Sequence, residues 1–180
     1  ARADREIFPG GGALYSRSAR DDRTEVYAKL SGVRSITTTD DLVLAGTVDG
    51  RLLALAPERP EVPQWKAGPI KGRIDAPPLA VDLDGDGTPE LFVVASMASQ
   101  VMLVNRSGKV LERRPLPGPV RSVPLALAAT HTPGSAFQIV VVCDTGHLVG
   151  LEVTATALVP GGMVDLGVSP STEPLVVRRP

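Results

Sequence analysis

The stretch DLVLAGTVDGRLLAL, residues 41–55, joins two apolar runs through a short polar turn. Two later stretches repeat this arrangement: ELFVVASMASQVMLVN at residues 90–105 and QIVVVCDTGHLVGL at residues 138–151. Leu42, Leu91 and Ile139 hold the same place in them, so the spacings are 91 − 42 = 49 and 139 − 91 = 48 residues. A recurrence of this period predicts a repeat architecture in which each unit is one small sheet.

Each hairpin is flanked by two further predicted strands. The upstream strand is PLAV at residues 78–81, and it returns as PLAL at 124–127 and PLVV at 174–177. The downstream strand is more polar and is clearest in KVLERR at residues 109–114. A unit of four short strands and this length is typical of one β-propeller blade.

The hydrophobic pattern supports an all-β fold of four-stranded antiparallel blades. The two central runs of each unit are nearly continuous Val, Leu and Ala, which is typical of strands covered on both faces. The last strand carries charges and is expected at the rim. No segment shows a helical period with caps, so we predict little or no helix.

The two ends of the chain are predicted to form one blade together. Glu6–Phe8 matches Glu90–Phe92, so the chain begins at the second strand of a blade, whereas 174–177 is a first strand. The prediction is a single propeller domain over residues 1–180. Its blades are expected at about 33–72, 73–118 and 119–167, with a split blade made of 168–180 plus 1–32.

A split blade closes a ring and removes exposed sheet edges. We therefore predict a closed four-bladed ring. The alternative is that the chain is part of a seven- or eight-bladed propeller. In that case the chain is either cut from a longer protein or completed by a second copy, which would make it a homodimer.

A second local signal is DLDGDGTPE at residues 82–90, which has carboxylates at positions 1, 3, 5 and 9. Calcium prefers about six to eight oxygen ligands, and alternate carboxylates in a tight loop converge on one point. Gly85 and Gly87 allow the positive φ that such a loop requires. The predicted calcium ligands are the carboxylates of Asp82, Asp84, Asp86 and Glu90 and the backbone carbonyl of Thr88.

Two other interpretations of this loop compete with calcium binding. An EF-hand needs a glutamate at about position 12 and flanking helices, but that place is Val93 inside an apolar run. An aspartate- and glycine-rich turn that binds nothing would leave four carboxylates repelling one another. The equivalent segments Thr37–Asp41 and Ala129–Ser135 lack alternating carboxylates and are predicted not to bind metal.

The segment Pro78–Val94 resembles the FG-GAP repeat of integrin α-chain propellers and related bacterial VCBS repeats. That pattern is an apolar strand, D-x-D-G-D-G-x-x-D/E, and another apolar strand. The resemblance implies structural calcium bound by the residues named above. It covers one blade, and the Phe-Gly and Gly-Ala-Pro signatures are absent. Val48–Leu55 with Trp65 is similar to a PQQ-like repeat, a likeness of the repeat rather than of quinoprotein activity.

Composition narrows the possible functions. The net charge is −1 and there are only one Trp, two Tyr and three Phe, which disfavours nucleic-acid binding and weakens a carbohydrate-binding interpretation. No apolar run is long enough for a transmembrane helix, so no membrane insertion is predicted. The single cysteine, Cys143, excludes an internal disulfide. We interpret it as a core residue rather than as a nucleophile paired with His147.

The predicted function is a non-enzymatic, calcium-stabilised propeller that serves as a binding or scaffolding module for an unidentified protein partner. No catalytic or organic-cofactor residues are assigned. The alternatives are a carbohydrate-binding propeller with a glycan as ligand, and a propeller domain or subunit of a larger enzyme. Because extracellular calcium concentrations suit such a loop, the expected location is extracellular or periplasmic.

Overall fold

A computed structural model describes residues 5–20, 22–127 and 137–170. Within these ranges the regular structure consists of β-strands, with no helix. No helix that could cross a membrane is found in the part of the chain that is described. The strands are β1 (Arg5–Gly10), β2 (Ala13–Ser18), β3 (Thr24–Ala28), β4 (Val33–Thr38), β5 (Val43–Thr47), β6 (Leu52–Ala56), β7 (Arg59–Ala67), β8 (Leu79–Val81), β9 (Leu91–Ser96), β10 (Gln100–Asn105), β11 (Val110–Pro115), β12 (Leu125–Ala126), β13 (Phe137–Val142), β14 (His147–Val153) and β15 (Leu158–Asp165).

The strands form four antiparallel sheets in chain order. The first sheet is β1-β2-β3, the second β4-β5-β6-β7, the third β8-β9-β10-β11 and the fourth β12-β13-β14-β15. The predicted fold class, an all-β propeller of antiparallel blades, is confirmed. The strand predicted at residues 174–177, which would add to the first sheet, lies outside the described residues, as does the segment Ala129–Ser135.

The hydrophobic core lies between successive sheets rather than inside any one of them. Leu14 of the first sheet packs in one cluster with Val43 and Leu55 of the second. A second cluster joins the second and third sheets, and a third joins the third and fourth. Every residue of β5, β6 and β9 is buried. These strands are therefore covered on both faces, as their continuous apolar sequences predict.

The second, third and fourth sheets hold the outgoing chain with the same hydrogen bond. The donor is the backbone N–H of a residue that lies one to three positions after the sheet's last strand. The acceptor is a backbone carbonyl at the end of the hairpin turn between the two central strands. The bonds are Ile70 to Gly50 at 2.8 Å, Leu116 to Ser99 at 2.7 Å and Leu166 to Gly146 at 3.0 Å. All three acceptor residues have positive φ, namely 77°, 59° and 88°. The repeat therefore fixes one backbone conformation at one place in three sheets.

A second repeated bond joins neighbouring sheets. The first residue of the same hairpin turn donates its N–H to the connection that arrives from the preceding sheet. These bonds are Val48 to Gly32 at 2.7 Å, Met97 to Arg73 at 3.0 Å and Asp144 to Pro119 at 2.8 Å. The connections therefore have a fixed path from one sheet to the next.

Two arginines at matching blade positions have different partners. Arg34 Nε donates to Asp75 Oδ1 at 3.2 Å, and Arg73 Nε donates to Asp75 Oδ2 at 2.7 Å. Since Asp75 lies on the segment entering the third sheet, Arg34 joins two sheets. Arg121 lies on the connection between the third and fourth sheets, and its Nε donates to Asp144 Oδ2 at 2.6 Å. Asp144 is in the β13–β14 turn of the fourth sheet, next to that connection.

Replacing Asp75 with asparagine is expected to lower the free energy of unfolding at neutral pH by about 1 kcal/mol, since both arginine partners are half-exposed. Burial by itself would raise the pKa of Asp75, but bonding to Arg73 and Arg34 outweighs it and lowers that pKa below its ordinary value. The stabilisation is present above the unfolded-state pKa and is lost as the pH falls towards the folded-state pKa. Chemical denaturation of both proteins between neutral and acidic pH measures this; a difference that grows on acidification would contradict it.

Candidate metal site

The candidate site is the loop of residues 82–90 between β8 and β9. Val81 and Leu91, which flank it, are buried, and the Glu90 N–H donates to the Val81 carbonyl at 3.1 Å. The core thus clamps both ends of the loop. Residues 84–88 between them are exposed. An exposed loop on a rigid base can order its carboxylates without disturbing the fold.

The four predicted carboxylates converge. Asp82, Asp84, Asp86 and Glu90 each offer one oxygen, and these atoms lie within 4.8 Å of one another. Two oxygens on opposite sides of a calcium ion are about 4.6–5.2 Å apart, twice the usual Ca–O distance. The donor set, which consists of hard carboxylate oxygens, and its spacing both fit calcium.

Backbone N–H groups orient the carboxylates. Asp82 accepts from Gly85 at 2.7 Å and from Gly87 at 2.8 Å. Asp84 accepts from Asp86 at 3.1 Å, and Asp86 accepts from Thr88 at 2.6 Å. Glu90 Oε2 accepts from Leu83 at 2.7 Å. A carboxylate has about four lone-pair sites, so these bonds position the groups and still leave capacity to bind a cation.

The same bonds act on the charge of Asp82. Desolvation would raise the pKa of its carboxyl, but the N–H groups of Gly87, Gly85 and Asp86 outweigh it, and the pKa is lowered. A carboxylate that accepts several N–H bonds stays ionised more readily. Asp82 is therefore kept in the anionic form that a metal ligand needs.

The glycines and the neighbouring strand agree with this geometry. Gly85 has φ 80° and Gly87 has φ 89°, as the loop predicts. Val93, the position at which an EF-hand would need its glutamate, is buried in β9 between Leu79 and Leu103 of the adjacent strands. It cannot serve as a ligand. The carbonyl of Thr88 remains a predicted ligand.

Arg106 links this loop to the rest of the molecule, and sequence reasoning missed it. Its backbone N–H donates to the Glu90 carbonyl at 2.8 Å, and its Nη1 donates to the Pro89 carbonyl at 2.9 Å. Its Nη2 forms an ion pair with Asp41 of the second sheet. The end of the loop is thus tied to its own hairpin and to the neighbouring sheet.

The Cys143–His147 pair shows no nucleophile geometry. Cys143 is buried, and burial raises the pKa of its thiol, so the reactive thiolate is disfavoured. The contact between the two residues is a backbone bond, from the Cys143 N–H to the His147 carbonyl at 2.9 Å. His147 Nδ1 lies 3.0 Å from Thr145 Oγ1. Cys143 is a core residue, as interpreted from the sequence.

The fold is similar to solved β-propellers. BamB from Moraxella catarrhalis superposes with a TM-score of 0.58 at 16% identity, over 91% of this chain and 49% of BamB. A chain of the Mitotic Checkpoint Complex gives 0.65 at 13% identity, over 90% of this chain and 48% of that one. The computationally designed Ika8 protein gives 0.60 at 14% identity, over 96% and 52%.

The class defined by these observations is the β-propeller. This chain spans about half the length of each propeller named above. No protein-family model matches the sequence, and no curated protein matches it. The likeness therefore establishes the fold and leaves the family open.

Proposed function

We propose that this chain is a non-enzymatic binding or scaffolding module, a β-propeller whose third sheet is stabilised by one calcium ion. The observation that carries the proposal is the convergence of four carboxylate oxygens within 4.8 Å at the start of β9. The loop pattern also supports the finer assignment to FG-GAP-like repeats. Asp82, Asp84, Asp86, Glu90 and the Thr88 carbonyl would hold the ion.

The ion would be structural. It would neutralise the repulsion among the carboxylates and fix the turn between β8 and β9. Through Arg106, which contacts both Glu90 and Asp41, an ordered loop would also support the junction between the second and third sheets. Binding to the folded chain alone adds to its stability by linkage.

A scaffolding role follows from how the fold distributes rigidity. The central strands are buried and the connecting turns are exposed, so the sheets present loops of variable sequence on a stable frame. Protein partners suit such a surface. A location outside the cytosol, in the extracellular space or the periplasm, would supply calcium at the required concentration. Capture on the immobilised chain with and without calcium, beside a glycan array, would separate a protein partner from a carbohydrate ligand.

Calcium is expected to raise the melting temperature by about 5–10 °C when the free ion is at about 100 times its Kd, which corresponds to about 2.7 kcal/mol. Asp84→Ala should abolish this shift. Asp49→Ala, which removes an aspartate from a different hairpin turn, should retain it. Magnesium should give a smaller shift, because it demands a tighter octahedral shell. An unchanged melting temperature at millimolar calcium would rule out the structural ion.

A further inference from the structure

Among the described residues, no sheet packs on the outer face of the first sheet or on that of the fourth. One position recurs in all four sheets, namely the second residue after the central hairpin turn. It is Leu14 in β2, Leu52 in β6, Val101 in β10 and Leu148 in β14. The first three have 0% exposure because the following sheet covers them. Leu148 is only half-buried. The outer face of the fourth sheet therefore repeats an inter-sheet packing surface on which none of the other described sheets packs.

The outer face of the first sheet carries a row of large side chains. Strand pairing places Phe8, Tyr15 and Val26 side by side across β1, β2 and β3. The rings of Phe8 and Tyr15 stack with centroids 5.9 Å apart, and Val26 is 54% exposed. By strand position Phe8 and Tyr15 match Val94 and Met102, which are fully buried against the preceding sheet. The sequence match of Glu6–Phe8 to Glu90–Phe92 was therefore two residues out.

The outer face of the fourth sheet carries a hollow. Gly150 and Gly162 pair across β14 and β15 and leave its centre without side chains. The hollow has a volume of about 480 Å³, and Leu127, Leu148 and Val164 are among the residues that line it. Side chains added at these glycines would meet little: the nearest atoms to a Cβ on Gly150 are 3.5 Å away, and Gly162 has none within 4 Å.

The row and the hollow are complementary in size. At the place of Gly150 the second and third sheets carry Ala54 and Leu103. Ala54 shares a cluster with Val94 and Met102 of the following sheet, and Leu103 shares one with Val141 and Val149. Among Ala54, Leu103 and Gly150 the smallest residue is Gly150, on the fourth sheet. Among the pairs that face the preceding sheet the largest is Phe8 with Tyr15, on the first sheet. Close packing requires such compensation between facing layers.

We propose that two copies of this chain close one propeller ring, with the first sheet of each copy packed on the fourth sheet of the other. Four sheets account for about half of each matched propeller, so a ring of that size has room for a second set. A two-fold axis then gives two identical junctions and leaves no open sheet face. Because the row on the first sheet and the hollow on the fourth are complementary in size, the structure favours a second copy over unrelated further sheets.

The path of the chain supports this arrangement. Where the chain leaves the fourth sheet, the Leu166 N–H bonds to the Gly146 carbonyl in the hairpin turn. The Ile70 N–H makes the same bond to the Gly50 carbonyl, at a point where the chain continues into another sheet. β1 is an edge strand of a three-stranded sheet.

The test is the mass in solution, which is independent of calcium binding. One chain is 18.8 kDa, so the closed pair is expected at 2 × 18.8 = 37.6 kDa by light scattering. Gly150→Phe fills the hollow and should weaken the dimer Kd by roughly 30-fold or more, the effect of losing a central contact. Val62→Phe, at a 71% exposed position on β7, is the matched control and should leave the dimer unchanged.

A compensating pair makes the test specific. Tyr15→Ala combined with Gly150→Phe should restore part of the lost affinity, since the space removed from one face is returned on the other. Far-UV circular dichroism with a thermal melt shows that each variant is folded. A wild-type mass of 18.8 kDa at crystallisation concentrations, a mass above the dimer value, or a dimer that tolerates Gly150→Phe would overturn the proposal.

Discussion

Replacing Phe92 with alanine is expected to lower the free energy of unfolding by about 3–5 kcal/mol. Phe92 lies in β9, has 0% exposure and packs in the cluster that joins the second and third sheets. Its ring centroid is 5.8 Å from that of Trp65 of the second sheet. The substitution would remove the largest fully buried side chain of this junction and leave a cavity that the β-sheets on both sides cannot close.

Urea denaturation measures this effect, and Trp65 supplies the signal because it is the single tryptophan. Phe92→Leu is the control. It keeps most of the buried volume and should cost less than half as much. A loss below about 1 kcal/mol for Phe92→Ala would mean that the junction is not packed as described.

Replacing Gly50 with alanine is expected to cost about 3 kcal/mol or more. Gly50 has φ 77°, which costs an L-residue about 1–2 kcal/mol. A Cβ there would also lie 2.1 Å from the Ile70 carbonyl oxygen and 2.7 Å from that of Gly72. Both are backbone atoms of the connection to the third sheet, so relief requires moving that connection, at about 1–3 kcal/mol more.

Gly12→Ala separates these two contributions. Gly12 ends the equivalent hairpin turn, between β1 and β2 of the first sheet, and has φ 88°. Apart from its chain neighbours, no atom lies within 4 Å of its Cβ position. Its replacement should cost only the conformational part, about 1–2 kcal/mol. Thermal or urea unfolding of both variants checks the difference. Equal costs would show that the connection at Ile70 does not pass over Gly50.

Much of the fold could be predicted because each sheet buries its neighbours through the same few positions. Leu42 and Leu91 hold the same place and both pack against the following sheet, as their spacing predicts. The match to Ile139 was one residue out: strand register puts Gln138 at that place, and Ile139 packs against the preceding sheet. The polar final strands were also predictable, since β7 and β11 each mix exposed residues with half-buried ones. The pairing of 174–177 with the first sheet remains a prediction.

The sequence predicts those residues of the candidate site that lie close together in the chain, but not those that only packing brings to it. Carboxylates two residues apart in a glycine-rich loop must point to a common centre, so Asp82, Asp84 and Asp86 could be grouped from their spacing alone. Arg106 could not be grouped with them. Its ion-pair partner Asp41 is 65 residues away in the chain, and only the packing of the second sheet on the third brings the two together.

The hollow on the fourth sheet also depends on packing and could not be predicted from the sequence. Gly150 appears in the sequence as one more small residue between apolar runs. Its role depends on strand register, which sets Gly162 beside it, and on the stacking of the sheets, which among the described residues leaves this face uncovered. Shape complementarity between the two ends of the chain is therefore a property of the assembled sheets.

The proposed calcium ion would lie in the loop between β8 and β9. A crystal structure from crystals grown with calcium, with an anomalous difference map, tests this proposal most directly. We predict one strong peak at the start of β9, about 2.3–2.6 Å from oxygens of Asp82, Asp84, Asp86 and Glu90 and from the Thr88 carbonyl. A map without a peak there, in which backbone N–H groups are the carboxylates' only neighbours, would contradict the account.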